Sequence, residues 1–137
     1  MEGIKYHFVE AAAPPASPYH HGVEADGWLY VTGQLPVDPN NPDAPPPEGI
    51  QAQTKLVFEN LRLILEHAGY SFDNVMFLRI YMLHFKRDFA AMNAIIAGHF
   101  KSEFLPGRTT FGVAELGRDA LVEIDLVAYK TPAGMKS

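Results

Sequence analysis

The chain contains no cysteine, which excludes disulfides, thiolate nucleophiles and cysteine-based zinc or iron–sulfur centres. It also lacks basic excess: 11 Lys and Arg stand against 16 Asp and Glu, a formal net charge of −5. That balance opposes the phosphate-driven attraction behind most nucleic-acid affinity, and no basic stripe breaks it. No apolar run approaches the roughly 20 residues that span a bilayer. The opening MEGIKYHFVEAAAPPASPYHH has no basic start followed by a long apolar core, so it does not read as a signal peptide. A soluble, cytoplasmic protein fits these absences.

What is present suits a globular chain. Hydrophobic residues make up 47% and charged residues 20% of 137 positions, enough for one domain over residues 1–137 that buries about two-thirds of its unfolded surface. Trp28 to Thr32, WLYVT, predicts a strand that ends at Gly33. The Pro-, Asn- and Asp-rich stretch that follows predicts a surface loop. From Ile50 to Ala68 an apolar stripe at Ile50, Thr54, Val57, Leu61, Ile64 and Leu65 predicts a helix closed by Gly69. VMFLRIYMLHF, residues 75–85, predicts a central strand with both faces apolar, and Asp88 is placed to cap a second helix striped by Phe89, Met92, Ile96 and Phe100. TTFGVAEL and LVEIDLVAY, joined at Gly117-Arg118-Asp119, read as a terminal hairpin.

The expected fold class is α+β, with five or six strands and two helices packed on one sheet face. Two helices cover one face only, so a second copy of the chain is expected on the other, as a dimer or trimer. In the last strand, Val122, Ile124, Leu126 and Ala128 point one way, which sends Glu123 and Asp125 to the face left for the partner. Carboxylates there are either ion-paired or, at a crevice between subunits, acid–base groups with raised proton affinity. Arg108, following Pro106-Gly107, is placed to approach the same crevice, where a guanidinium suits a substrate carboxylate. Periodicity alone leaves a plain salt bridge between the two equally open. The six histidines offer no metal-ligand spacing; His20 and His21 read as pocket-wall or solvent residues, His84 as a satisfied strand histidine and Trp28 as core.

SPYHHGVEADGWLYVTGQLPVDP, DFAAMNAIIAGHF and PGRTTFGVAELGRDALVEIDLVAY, in this order and spacing, resemble the RidA (YjgF) family, also described as endoribonuclease L-PSP. The resemblance runs from about Ser17 to Tyr129 and implies a chorismate-mutase-like fold, a homotrimer with active sites between subunits, and hydrolysis of reactive enamines and imines to 2-oxo acids and ammonia. It implies no metal and no organic cofactor. By position it gives Arg108 the substrate carboxylate and Glu123 the attacking water, and it places Tyr19, Thr32, Asn93, Gly107 and Thr110 around the substrate. PYHHG departs from the family's usual PYSQA element, and Thr109-Thr110 follow the arginine where Ser and Cys are common; both departures bear on which substrate is taken. Two other readings accompany the deaminase: a non-catalytic metabolite-binding or regulatory member, and an endoribonuclease, which the acidic charge disfavours.

Overall fold

The computed structural model describes residues 2–132. Its strands are β1 (Lys5–His7), β2 (Gly22–Ala25), β3 (Trp28–Gln34), β4 (Val75–Met82), β5 (Gly107–Gly112) and β6 (Val122–Tyr129); its α-helices are α1 (Ile50–His67) and α2 (Phe85–Ala97). The six strands form one mixed sheet in the order β1-β2-β3-β6-β4-β5. Both helices lie on the same side, as their apolar stripes require: Val57, Leu61, Ile64 and Leu65 of α1 and Met92 and Ile96 of α2 are buried against Leu78, Ile80 and Met82 of β4 and Val122, Ile124 and Leu126 of β6. No described helix is long and apolar enough to cross a membrane.

The end of α1 follows from Gly69. Its φ of 86° lies in the left-handed region that glycine reaches without strain. There the Gly69 N–H donates to Glu66 O and the Tyr70 N–H to Leu65 O, satisfying two carbonyls at the helix end.

Three expectations from sequence need correction. β5 and β6 form no hairpin: β5 pairs in parallel with β4, and β6 lies between β3 and β4, antiparallel to both. A parallel neighbour needs a crossover, and α2 supplies it between β4 and β5. The chain then passes the end of β4, where Val113 N–H donates to Met82 O and Leu83 N–H to Leu121 O. Second, the central strand ends at Met82, and α2 begins at Phe85 with His84 in the N-cap position, so Asp88 sits inside the first turn and His84 is an exposed cap residue, not a strand histidine. Third, Trp28 is outside the core. It is 40% exposed on the sheet face away from the helices, packed on Tyr129 at 4.8 Å between ring centroids.

That helix-free face carries Tyr30, 59% exposed, with Phe77, Arg79, Tyr81, Glu123, Asp125 and Val127. A broad hollow of about 650 Å³ lies on it between β3, β6 and β4.

Candidate active site

β6 alternates as its sequence dictates: Val122, Ile124, Leu126 and Ala128 are buried under the helices, and Glu123 and Asp125 face the other way. The two carboxylates have different surroundings. Asp125 lies opposite Arg79 in the β4–β6 register; Arg79 Nε donates to its Oδ1 at 2.7 Å and Tyr81 Oη to its Oδ2 at 2.8 Å. Glu123 lies opposite Tyr81 and receives no hydrogen bond among the described residues. Burial, and next the neighbouring Asp125 charge, hold its carboxyl above the ordinary glutamate range. The two carboxylates thus differ: Asp125 is ion-paired, and Glu123 has no hydrogen-bond partner among the described residues.

The backbone beside Glu123 is shaped for it. Between Val31 and Gln34 the β3–β6 register slips, so Thr32 and Gly33 together oppose Asp125 in a β-bulge. A Cβ on Gly33 would collide with the Glu123 carboxylate. Only glycine lets the acid fold over the strand at this point. Thr32 braces the bulge, its hydroxyl donating to His20 O at 2.7 Å and its N–H to His21 O at 2.9 Å.

His21 is a wall residue of the cavity that Tyr19 borders, and it is no solvent residue. It is 1% exposed; Val9 N–H donates to its Nδ1, so Nε2 carries the proton and donates to Ala13 O at 2.7 Å. Both ring nitrogens are committed to backbone, which makes this histidine a tie between the N-terminal segment and β3. His20 is exposed and packs on Tyr6. Tyr19, its hydroxyl accepting from Ala16 N–H at 3.3 Å, borders a cavity of about 160 Å³ that also reaches Gly33, Gln34 and Arg118.

Arg108 stands elsewhere. In the β4–β5 register it is level with Leu78, on the helix side of the sheet, and its guanidinium lies 5.7 Å from the centre of the Phe89 ring of α2. Arg108 and Asn93 share a mostly apolar cavity of about 270 Å³ with Leu78, Ile96, Phe100 and Leu105. Thr110 is two residues on, level with Ile80. Gly107 lies opposite Phe77, whose ring would be 2.9 Å from a Cβ placed there.

The seven candidate residues therefore fall into two groups. Tyr19, Thr32 and Glu123 gather around the β3 bulge; Asn93, Gly107, Arg108 and Thr110 gather at the β5 edge. β4 separates β6 from β5, and Glu123 and Arg108 project from opposite faces. Two strand spacings alone amount to roughly 10 Å, so one chain does not bring the acid and the arginine to one small molecule. Sequence reading passed over three features here: the bulge glycine Gly33, the clamp of Arg79 and Tyr81 on Asp125, and the Phe89 seat beneath Arg108. Gly33 alone carried a readable signal, a glycine inside a strand pattern. Among the described residues no cluster of His, Asp or Glu is arranged to hold a metal ion.

Residues 10–130 match the sequence profile of the family described as Endoribonuclease L-PSP. A RutC family protein of Pyrococcus horikoshii is 38% identical over 123 residues, which cover 90% of this chain and 95% of the relative. Among solved structures, RidA from the Antarctic bacterium Psychrobacter is similar with a TM-score of 0.83 and 28% identity, over 95% of this chain and 100% of that one. TdcF of Escherichia coli, solved with bound serine, has a TM-score of 0.84 and 28% identity, over 92% of this chain and 98% of its own. The α+β sheet with two helices on one side and the profile match over most of the chain agree with the resemblance read from the motifs: the chain belongs to the RidA/YjgF/L-PSP family.

Proposed function

We propose that this protein hydrolyses reactive 2-imino acids and their enamine tautomers to 2-oxo acids and ammonia, in clefts between the subunits of a homotrimer. The observation that carries this reading is the Glu123 carboxyl, partly buried, without a hydrogen-bond partner among the described residues, and fitted against Gly33. A carboxyl in that state holds its proton more tightly than an exposed one and suits proton exchange with a substrate.

In this reading the substrate carboxylate pairs with Arg108 of one subunit, and the reacting carbon lies beside Glu123 of the next. The separation of the two groups within one chain supports a shared site. An enamine is first protonated at carbon to give the iminium. Glu123, as carboxylate, takes a proton from water while the water oxygen bonds to the iminium carbon. Glu123 passes that proton to the amine nitrogen, the C–N bond breaks as ammonia leaves, and the carboxylate takes the hydroxyl proton to give the carbonyl product. Arg108 contributes by orientation, holding the carbon within reach of the water. Asn93 shares the cavity of Arg108, and Thr110 follows it on the same side of β5; Tyr19 borders the cavity that reaches Gly33, and Thr32 lies in the bulge beside it, so that these groups offer further polar contacts.

The test is ammonia and 2-oxo acid release from a panel of amino-acid-derived imines generated in situ, wild type beside Arg108→Ala. Acceleration that depends on Arg108 supports the reading, and no acceleration on any imine overturns it. A metabolite-binding role without catalysis is the second reading, favoured by the serine held by the TdcF relative. Serine binding measured by calorimetry in a protein that turns over no imine would establish it.

A further inference from the structure

Beside Glu123 stands a fixed charge that the proposed reaction does not use. Glu123 and Asp125 are two residues apart on the same face of β6, and the Asp125 charge acts on the Glu123 carboxyl. The other charged or titratable groups described around this part of the face belong to β4 and β3, and to the loops that bring Tyr19, Asp43 and Arg118 to the cavity at Gly33. Arg79 and Tyr81 lie directly across from Asp125 and Glu123, and Tyr30 lies opposite Val127, farther along the sheet. β5 contributes Phe111, edge-on to the Tyr81 ring at 5.0 Å, and Thr109, neither of them charged. The helices are on the opposite side.

We propose that Asp125, clamped by Arg79 and Tyr81, is a positioning residue that sets the pH at which Glu123 exchanges its proton, with Arg79 as the counterweight. The proposal deepens the deaminase reading and rests on Glu123 being its acid–base group.

The geometry gives each partner a separate part. Tyr81 Oη and Arg79 Nε each take one oxygen of Asp125, so the Asp125 side chain has one orientation and its negative charge a fixed distance from Glu123. A like charge so placed disfavours ionisation of Glu123, and a guanidinium on the same carboxylate partly offsets it. Tyr81, opposite Glu123 in the register, spends its hydroxyl proton on Asp125 and leaves Glu123 without a donor. Were that proton given to Glu123 instead, it would favour the ionised form and lower the proton affinity.

The experiment reads Glu123 directly, by carboxyl-carbon NMR titration of the full chain with its signal assigned through Glu123→Gln. Asp125→Asn is expected to move the Glu123 midpoint down, and Arg79→Gln to move it up, each by about half to one pH unit. The ascending limb of kcat/KM on an imine substrate should follow in the same two directions. A clamp that only braced the sheet would lower stability in both variants and leave both midpoints in place; that result overturns the proposal, as does a shift in the same direction in both. Tyr81→Phe, which keeps the ring packing, guards against loss of fold and should also displace the midpoint. Opposite midpoint shifts in a protein that hydrolyses no imine would overturn the deaminase reading and leave this coupling standing.

Discussion

The Glu123 carboxylate occupies the space where any residue but glycine at position 33 would place its side chain. Gly33→Ala should therefore push the carboxylate aside without disturbing the core, because Gly33 lies in a bulge and the displaced atoms end a movable side chain. The expected result is a fall in kcat/KM of about tenfold or more, since small misplacements of a reacting group are costly. Stability should change by no more than about 1 kcal/mol. Assay and thermal melt of one preparation check both.

Arg108→Ala and Glu123→Gln should each be inactive alone. Refolded together from a 1:1 mixture, they should regain activity if one subunit supplies the arginine and the next the acid. In randomly assembled closed rings about a quarter of the sites then hold both intact groups. Recovery near that fraction of wild-type activity supports the shared site. Mixing without recovery, in oligomers shown by mass spectrometry to be mixed, counts against it.

Glu123 also leaves a mark on stability. Burial, then Asp125, raises its folded proton affinity above that of the unfolded chain, so the folded state holds its proton longer. Ionising it costs stability as pH rises above the ordinary glutamate value near 4.5, and the whole cost is present once pH passes the raised folded value. Glu123→Gln should therefore raise Tm at pH 8 and leave it unchanged near pH 4. Scanning calorimetry at the two pH values measures the difference.

Glu24 has the opposite sign. Burial raises its pKa, but hydrogen bonds from His7 and Tyr70, 2.8 Å each, outweigh that and leave it lowered. Its contribution is present above the unfolded value and is lost as pH falls through the lowered folded one. These bonds tie β1, β2 and Tyr70, two residues past the α1 C-cap, together. Glu24→Ala should cost about 1–3 kcal/mol at pH 7 in urea unfolding, and much less at pH 3.

Elements with a long period were legible in the sequence. The α1 stripe from Ile50 to Leu65 and the stop at Gly69 lie where the pattern put them, and the β6 alternation separated Glu123 from the core. Lys5–His7 and Gly22–Ala25 are too short to show a period and were not read as strands. The misread hairpin has a physical cause. β5 and β6 are neighbours in the chain, but β4 is apolar enough to take both as partners, and a local pattern carries no record of which strand a third one separates. The motif resemblance assigns Arg108 and Glu123 to one site between subunits, without saying how they lie within one chain. Register puts them on opposite faces of one chain, a relation that depends on pairing rather than on spacing.

β6, the last of the six described strands in chain order, sits in the middle of the sheet. Until residues 122–129 have left the ribosome, the growing chain holds only two partial sheets, β1-β2-β3 with α1 and β4-β5 with α2, each with an unpaired edge where β6 belongs. The strand that joins the two halves and carries Glu123 is therefore the last of the six to be made. A nascent chain stopped short of it has every helix of the fold and no continuous sheet, and that is the state most exposed to pairing with a neighbour or capture by a chaperone.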